Sequence, residues 1–147
     1  MKMLRYAALL AAPLAIALVN PLGAQNNPMI GGDFVEVSSV TIDDGHFTDY
    51  ANFLADTWRK RQDFAKKQGW ISGYEVMANV NSRPGEPDLI LVVRRPAMPT
   101  GAESERRGTM MREFSKQTDT QMEAASADRA KFRHVIGSTL WQVMNFK

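Results

Sequence analysis

Leu89-Ile90-Leu91-Val92-Val93 is a run of five apolar residues with no polar interruption. A strand with one face in water alternates apolar and polar side chains, because successive residues point to opposite faces. An unbroken run of β-formers this short, set between turn signals, needs cover on both faces. The run is fenced by Ser82-Arg83-Pro84-Gly85-Glu86-Pro87 before it and by Arg94-Arg95-Pro96 after it. It therefore predicts a central strand, around which the remaining elements must be arranged.

Those elements read in order. Residues 34–42, dense in Val, Ser, Thr and Ile, predict a first strand. Asp43-Asp44-Gly45 is a turn, with Asp44 placed to accept from the first free amides of the next helix. Phe47, Tyr50, Ala51, Leu54, Trp58, Phe64 and Ala65 form an apolar stripe that predicts a helix over about 45–68. Lys66, Lys67 and Gly69 mark its end. Arg61 falls inside the stripe and is expected to run along apolar surface to water.

Residues 70–81 predict a second strand, with Trp70, Tyr74, Val76, Ala78 and Val80 on one face and Ile71, Glu75, Met77 and Asn79 on the other. After the central strand, two less regular helices are expected over about 102–116 and 118–135, with Arg133 and His134 in the final turn and Gly137 ending the pair. Residues 138–146 close the chain as a last strand, Leu140, Met144 and Phe146 alternating with Trp141 and Val143.

The start of the chain reads as an address. Lys2 and Arg5 precede an apolar run from Tyr6 to Val19, Asn20-Pro21 breaks it, and Leu22-Gly23-Ala24 offers a small-residue cleavage site. Residues 1–24 are thus expected to be a cleavable secretory signal peptide, 25–33 a flexible leader and 34–147 a single domain, periplasmic or secreted. No membrane insertion is expected after cleavage. The chain has no cysteine, which excludes disulfides, thiolate metal sites and a thiol nucleophile. Removing Lys2 and Arg5 leaves equal numbers of basic and acidic residues, so nothing draws the domain to nucleic acid. The two histidines lie far apart outside any metal-binding motif, and the methionines are scattered; no metal and no cofactor are expected.

Strand, helix, strand, strand, helix pair, strand is an α+β order. Two right-handed strand–helix–strand units interleave most simply as a ferredoxin-like βαββαβ sandwich. That is a four-stranded antiparallel sheet with the first and third strands in the middle, helices on one face and the second helical element split in two. The opposite face is left without cover, and a second copy packed sheet to sheet would supply it, which predicts a homodimer.

This order, with Tyr50, Leu54 and Trp58 on the long helix, Gly69-Trp70, Asp88-Leu89, Val92-Val93, Ala127-Asp128-Arg129, Arg133 and Gly137-Ser138, resembles small exported bacterial proteins of the dimeric α/β-barrel superfamily. The resemblance covers residues 34–146 and implies the fold more than the activity. Relatives include cofactor-free monooxygenases, haem-handling enzymes, isomerases and members with no known activity. It brings no catalytic motif to this chain, and no Asn, Trp and His spacing matches that of haem-degrading relatives.

Three functions follow as expectations. The first is a binding protein whose cavity holds a small apolar or aromatic molecule, with Trp58, Tyr74, Arg94 and Trp141 as candidate ligand contacts. The second is a cofactor-independent monooxygenase- or isomerase-like enzyme in which Glu75 or His46 moves a proton. Glu75 among apolar neighbours would be a partly desolvated carboxylate suited to that work; the alternative is an ion pair with an arginine at the sheet rim or across the dimer. The third is a structural or stress-related dimer with a filled interior.

Overall fold

The computed structural model describes residues 27–147. The expected signal peptide, and residues 25 and 26 of the expected leader, lie outside the described residues. The apolar run forms β3 (Leu89–Arg95), which pairs on both edges. One neighbour is β1 (Met29–Ile42) and the other β2 (Gly73–Ala78), both antiparallel. With β4 (Arg133–Phe146) beyond β1, the sheet order is β2-β3-β1-β4 and every pairing is antiparallel. The class is α+β, with β1 and β3 in the middle.

Three helices join the sheet. The first is α-helical over Phe47–Phe53, π-helical over Leu54–Trp58 and α-helical again over Arg59–Lys67. It ends where Gly69 takes a left-handed φ of 73°, a conformation a side chain would strain. Its start is the cap residue His46, which makes no side-chain capping bond, so Asp44 does not fill the role expected of it. The second helix is Gly101–Ser115, capped by the Thr100 hydroxyl, which accepts from the Glu103 amide. The third is Asp119–Arg129, opened by a reciprocal capping box of Thr118 and Gln121.

The core lies on the side of β3 that carries Leu89, Leu91 and Val93. One cluster joins Val40 and Leu89 to Tyr50 and Leu54 of the first helix. The other joins Val93, Trp70 and Ile71 to Ala65, with Met110 and Met111 of the second helix against it. Phe64 and Phe114 stack at 4.3 Å between ring centroids, a further tie between the first two helices. The second and third helices bury no residue completely.

Three boundaries differ from the sequence reading. First, β1 begins at Met29, and Met29, Ile30 and Gly31 pair with Phe146, Asn145 and Met144. Part of the expected leader is therefore in the ladder, its backbone groups satisfied by residues far along the chain. Second, the third helix stops at Arg129 and β4 starts at Arg133, so His134 is not in a final helical turn. Arg133, His134 and Val135 pair with Ile42, Thr41 and Val40, and the ladder then shifts register between Ser39 and Val40. Val135 and Ile136 are β-branched and suit that extended pairing better than a helix end. Third, β2 starts only at Gly73; Trp70 and Ile71 leave the ladder and are buried in the core. Among the described residues no helix is long and apolar enough to cross a membrane.

Candidate functional site

The π-helical turn and β2 together form the walls of an apolar groove. In β2, Tyr74, Val76 and Ala78 are paired with Val93, Leu91 and Leu89, so they share the core side of the sheet. β2 is an edge strand, and the first helix does not close over it completely. What remains is a groove of about 370 Å³, within the range of pockets that hold small organic molecules. Phe47, Ala51, Leu54 and Ala55 line it from the helix, and Val76 and Ala78 from the strand. Arg59 is the one charged residue in the lining.

Trp58 and Tyr74 touch edge to face within the lining of this groove, with ring centroids 5.3 Å apart. That is a favourable quadrupolar arrangement and a natural seat for a third ring. The Tyr74 hydroxyl donates to the Asp63 carboxylate, which holds the phenol above its usual range and keeps it a donor. Leu54, Ala55 and Trp58 all belong to the π turn, and such turns inside helices are frequent at functional sites. Phe47 is 54% exposed, and Val76 is also exposed, so apolar surface continues to the groove's mouth.

The structure thus brings two of the sequence-predicted site residues together and leaves the others elsewhere. Arg94 pairs with Val35 and Gly73, and Val35 in turn with Trp141, so Arg94 and Trp141 belong to the opposite face of the sheet. Glu75 shares that face, and its carboxylate accepts from Arg94 at 2.7 Å, both side chains being partly in solvent. This is the ion-pair alternative for Glu75. Trp141 is 62% exposed, and its indole N–H donates to the Thr139 hydroxyl at 2.9 Å. His46 stacks on Phe132 at 5.0 Å, with its Nδ1 2.9 Å from the Asp49 carboxylate. Neither Glu75 nor His46 is in the lining of the groove that holds Trp58 and Tyr74.

A second cavity, of about 380 Å³, opens between the first and second helices and has a mixed polar and apolar lining. Arg61, Arg95 and Arg107 line it, together with Trp70 and Met111. Arg95 is paired with Glu36, and Arg107 with Glu103. Hydrogen bonds from Arg106 and Arg107 hold the Glu103 carboxyl down at about 2. The Arg107 guanidinium also lies 5.4 Å from the centre of the Trp70 ring.

Sequence reasoning missed Phe47, Ala51, Leu54 and Val76 as groove residues because their periodic apolar pattern reads as core; the exposure of Phe47 and Val76 is a property of the packed fold. Among the described residues no three histidine, aspartate or glutamate side chains converge as a metal site would require. No protein-family model, no curated protein and no solved structure matches this chain.

Proposed function

We propose that this chain is an exported binding protein that holds a small apolar or aromatic molecule in the groove between its first helix and β2. One observation carries the reading: an open groove of about 370 Å³ with apolar walls, where Trp58 and Tyr74 stand edge to face. Burying a ring there removes apolar surface from water on both partners, and the Tyr74 and Asp63 pair offers polar contact at the rim. The enzyme reading has less support, because Glu75 is engaged by Arg94 on the other side of the sheet and His46 by Asp49 and Phe132.

The arrangement β2-β3-β1-β4 also supports reading the domain as ferredoxin-like, with a homodimer of the dimeric α/β-barrel type. The face opposite the core carries Val35, Val37, Ile90 and Val92 in its middle strands, flanked by the exposed Met77 and Trp141. A second sheet laid against it would cover that surface.

The test is calorimetric titration of the protein with neutral aromatic probes such as indole and naphthalene, followed by the Trp58→Ala variant. Saturable binding that is lost in the variant supports the groove. Binding unchanged in Trp58→Ala, or no heat and no thermal stabilisation with any probe, overturns it. Light scattering over a range of concentrations tests the dimer separately, and a monomer at tens of micromolar refutes that part alone.

A further inference from the structure

On the other side of the first helix, toward β1 and β4, three arginines stand without an ion-pair partner among the described residues. Arg61 belongs to the first helix, Arg129 ends the third, and Arg133 opens β4. Each carries a side-chain Nε–H that is out of solvent and has no hydrogen-bond partner. Such a donor is normally satisfied, since an unpaired buried N–H forfeits its hydration for nothing. The other arginines of the interior are treated differently: Arg95 has Glu36 and Arg107 has Glu103.

Each of the three is held in place. Arg129 lies over the Phe53 ring, 3.9 Å from its centre, and Arg133 lies 5.8 Å from the centre of Tyr50. Tyr50 and Phe53 are themselves stacked at 5.7 Å, so a single aromatic plate carries both guanidinium groups. Arg61 is fixed by donation from its Nη2 to the Gln117 side chain at 2.8 Å. Burial, and then the positive fields of Arg133 and Arg61, draw the Arg129 guanidinium below its ordinary range.

The carboxylate that acts on Arg129, that of Asp128, is bonded to Lys131 and pairs with none of the three. Among the described residues none of the three makes an ion pair with a carboxylate, and residues 1–26 contain no Asp or Glu to bring to them. Like charges gathered at a cost in repulsion and desolvation call for a partner from outside. The edge of a guanidinium bearing Nε–H and one Nη–H presents two parallel donors, the geometry that grips a carboxylate or phosphate.

We propose that Arg61, Arg129 and Arg133 form a binding site for a compact, multiply charged oxyanion, phosphate or polycarboxylate, separate from the apolar groove. The anion accepts from the three free Nε–H groups and sits beside the Tyr50 and Phe53 plate. This assignment does not depend on what the groove binds.

The test follows the arginine Nε–H signals of the full-length protein by nitrogen-15 NMR. Sodium phosphate, trisodium citrate and sodium chloride are titrated at matched ionic strength. Saturable shifts of buried Nε–H signals with phosphate or citrate, absent with chloride, are expected; which of the two acts identifies the anion class. Arg129→Gln and Arg133→Gln should each weaken binding about tenfold or more, the scale of a lost charge-assisted hydrogen bond. Arg129→Lys keeps the charge but lacks Nε–H, and should weaken it as well. Lys66→Gln, at the exposed end of the first helix, should not. The proposal falls if the wild-type signals fail to shift with either oxyanion, shift equally with chloride, or if Lys66→Gln weakens binding as much as the arginine variants.

Discussion

Among the described residues Val40 and Val92 are the two largest fully enclosed side chains, at 0% and 2% exposure, and they point to opposite faces of the sheet. Replacing each by alanine therefore measures the cover on each face. The change removes two carbons, about 1.6 kcal/mol of transfer free energy at ~0.8 kcal/mol per buried methylene. It also opens roughly 50 Å³, which adds about 1 kcal/mol if the surroundings do not relax. Val40 is walled in by Tyr50, Leu54 and Leu89, rigid parts of two layers. Val40→Ala should therefore cost the full sum, about 2.5–3 kcal/mol. Val92 lies outside both core clusters, on the far face beside its row neighbours Val37 and Glu75. In an isolated protomer those can close in, and Val92→Ala should cost only the transfer part, about 1.5 kcal/mol. Against a second sheet it should match Val40→Ala, and the unfolding midpoint should rise with protein concentration. Urea unfolding of both variants at two concentrations reads these differences. A Val40→Ala cost below about 1 kcal/mol would refute the account of the core. A Val92→Ala cost near 1.5 kcal/mol with a concentration-independent midpoint would refute the sheet-to-sheet dimer.

Other consequences are more local. Thr118→Ala removes one half of the reciprocal capping box and should destabilise the domain by about 1 kcal/mol in the same urea assay. Glu75→Gln should leave aromatic-probe binding unchanged and lower stability by at most about 1 kcal/mol, since its ion pair with Arg94 is partly exposed. The Glu103 carboxyl should titrate near 2 when followed by carbon-13 NMR. Its folded pKa is depressed, so whatever stability the Arg106 and Arg107 contacts provide is present at neutral pH. That stability fades below the ordinary carboxylate range and is gone once the pH passes about 2. Glu103→Gln should remove that acid dependence and leave the rest of the unfolding profile in place.

The parts of the fold legible in sequence are those decided by local pattern. The unbroken run 89–93 is a central strand paired on both edges, and the stripe from Phe47 to Ala65 with Lys66, Lys67 and Gly69 is an ended helix. What escaped was decided at a distance. Met29-Ile30-Gly31 has no strand signature of its own and is held by residues 144–146, more than a hundred positions away. Trp70 and Ile71 look like strand residues, yet burial against Ala65 and Val93 takes them out of the ladder. Of the site, Trp58 and Tyr74 were readable as aromatic contacts. Arg61 is half-buried with its Nε dry, and its Nη2 donates to Gln117, across a turn whose path no local pattern gives.

The two candidate sites have one geometric origin. Four strands spaced ~4.8 Å apart present a face wider than the ~10 Å that one helix covers. Here the first helix supplies most of the tightly buried helical contacts, while the second and third bury no residue completely. Space must therefore remain on both flanks of the first helix, and its sequence gives the flanks different chemistry. Phe47, Ala51 and Ala55 face β2 and make that flank apolar. Tyr50 and Phe53 turn to the other flank, where Arg129 and Arg133 rest on them. A helix that merely sealed the sheet would need neither. If the first helix is instead a rigid divider, occupancy of one flank should leave affinity at the other unaltered. A phosphate or citrate titration repeated with the groove saturated by indole measures this directly. A shift beyond about twofold would show that the divider moves.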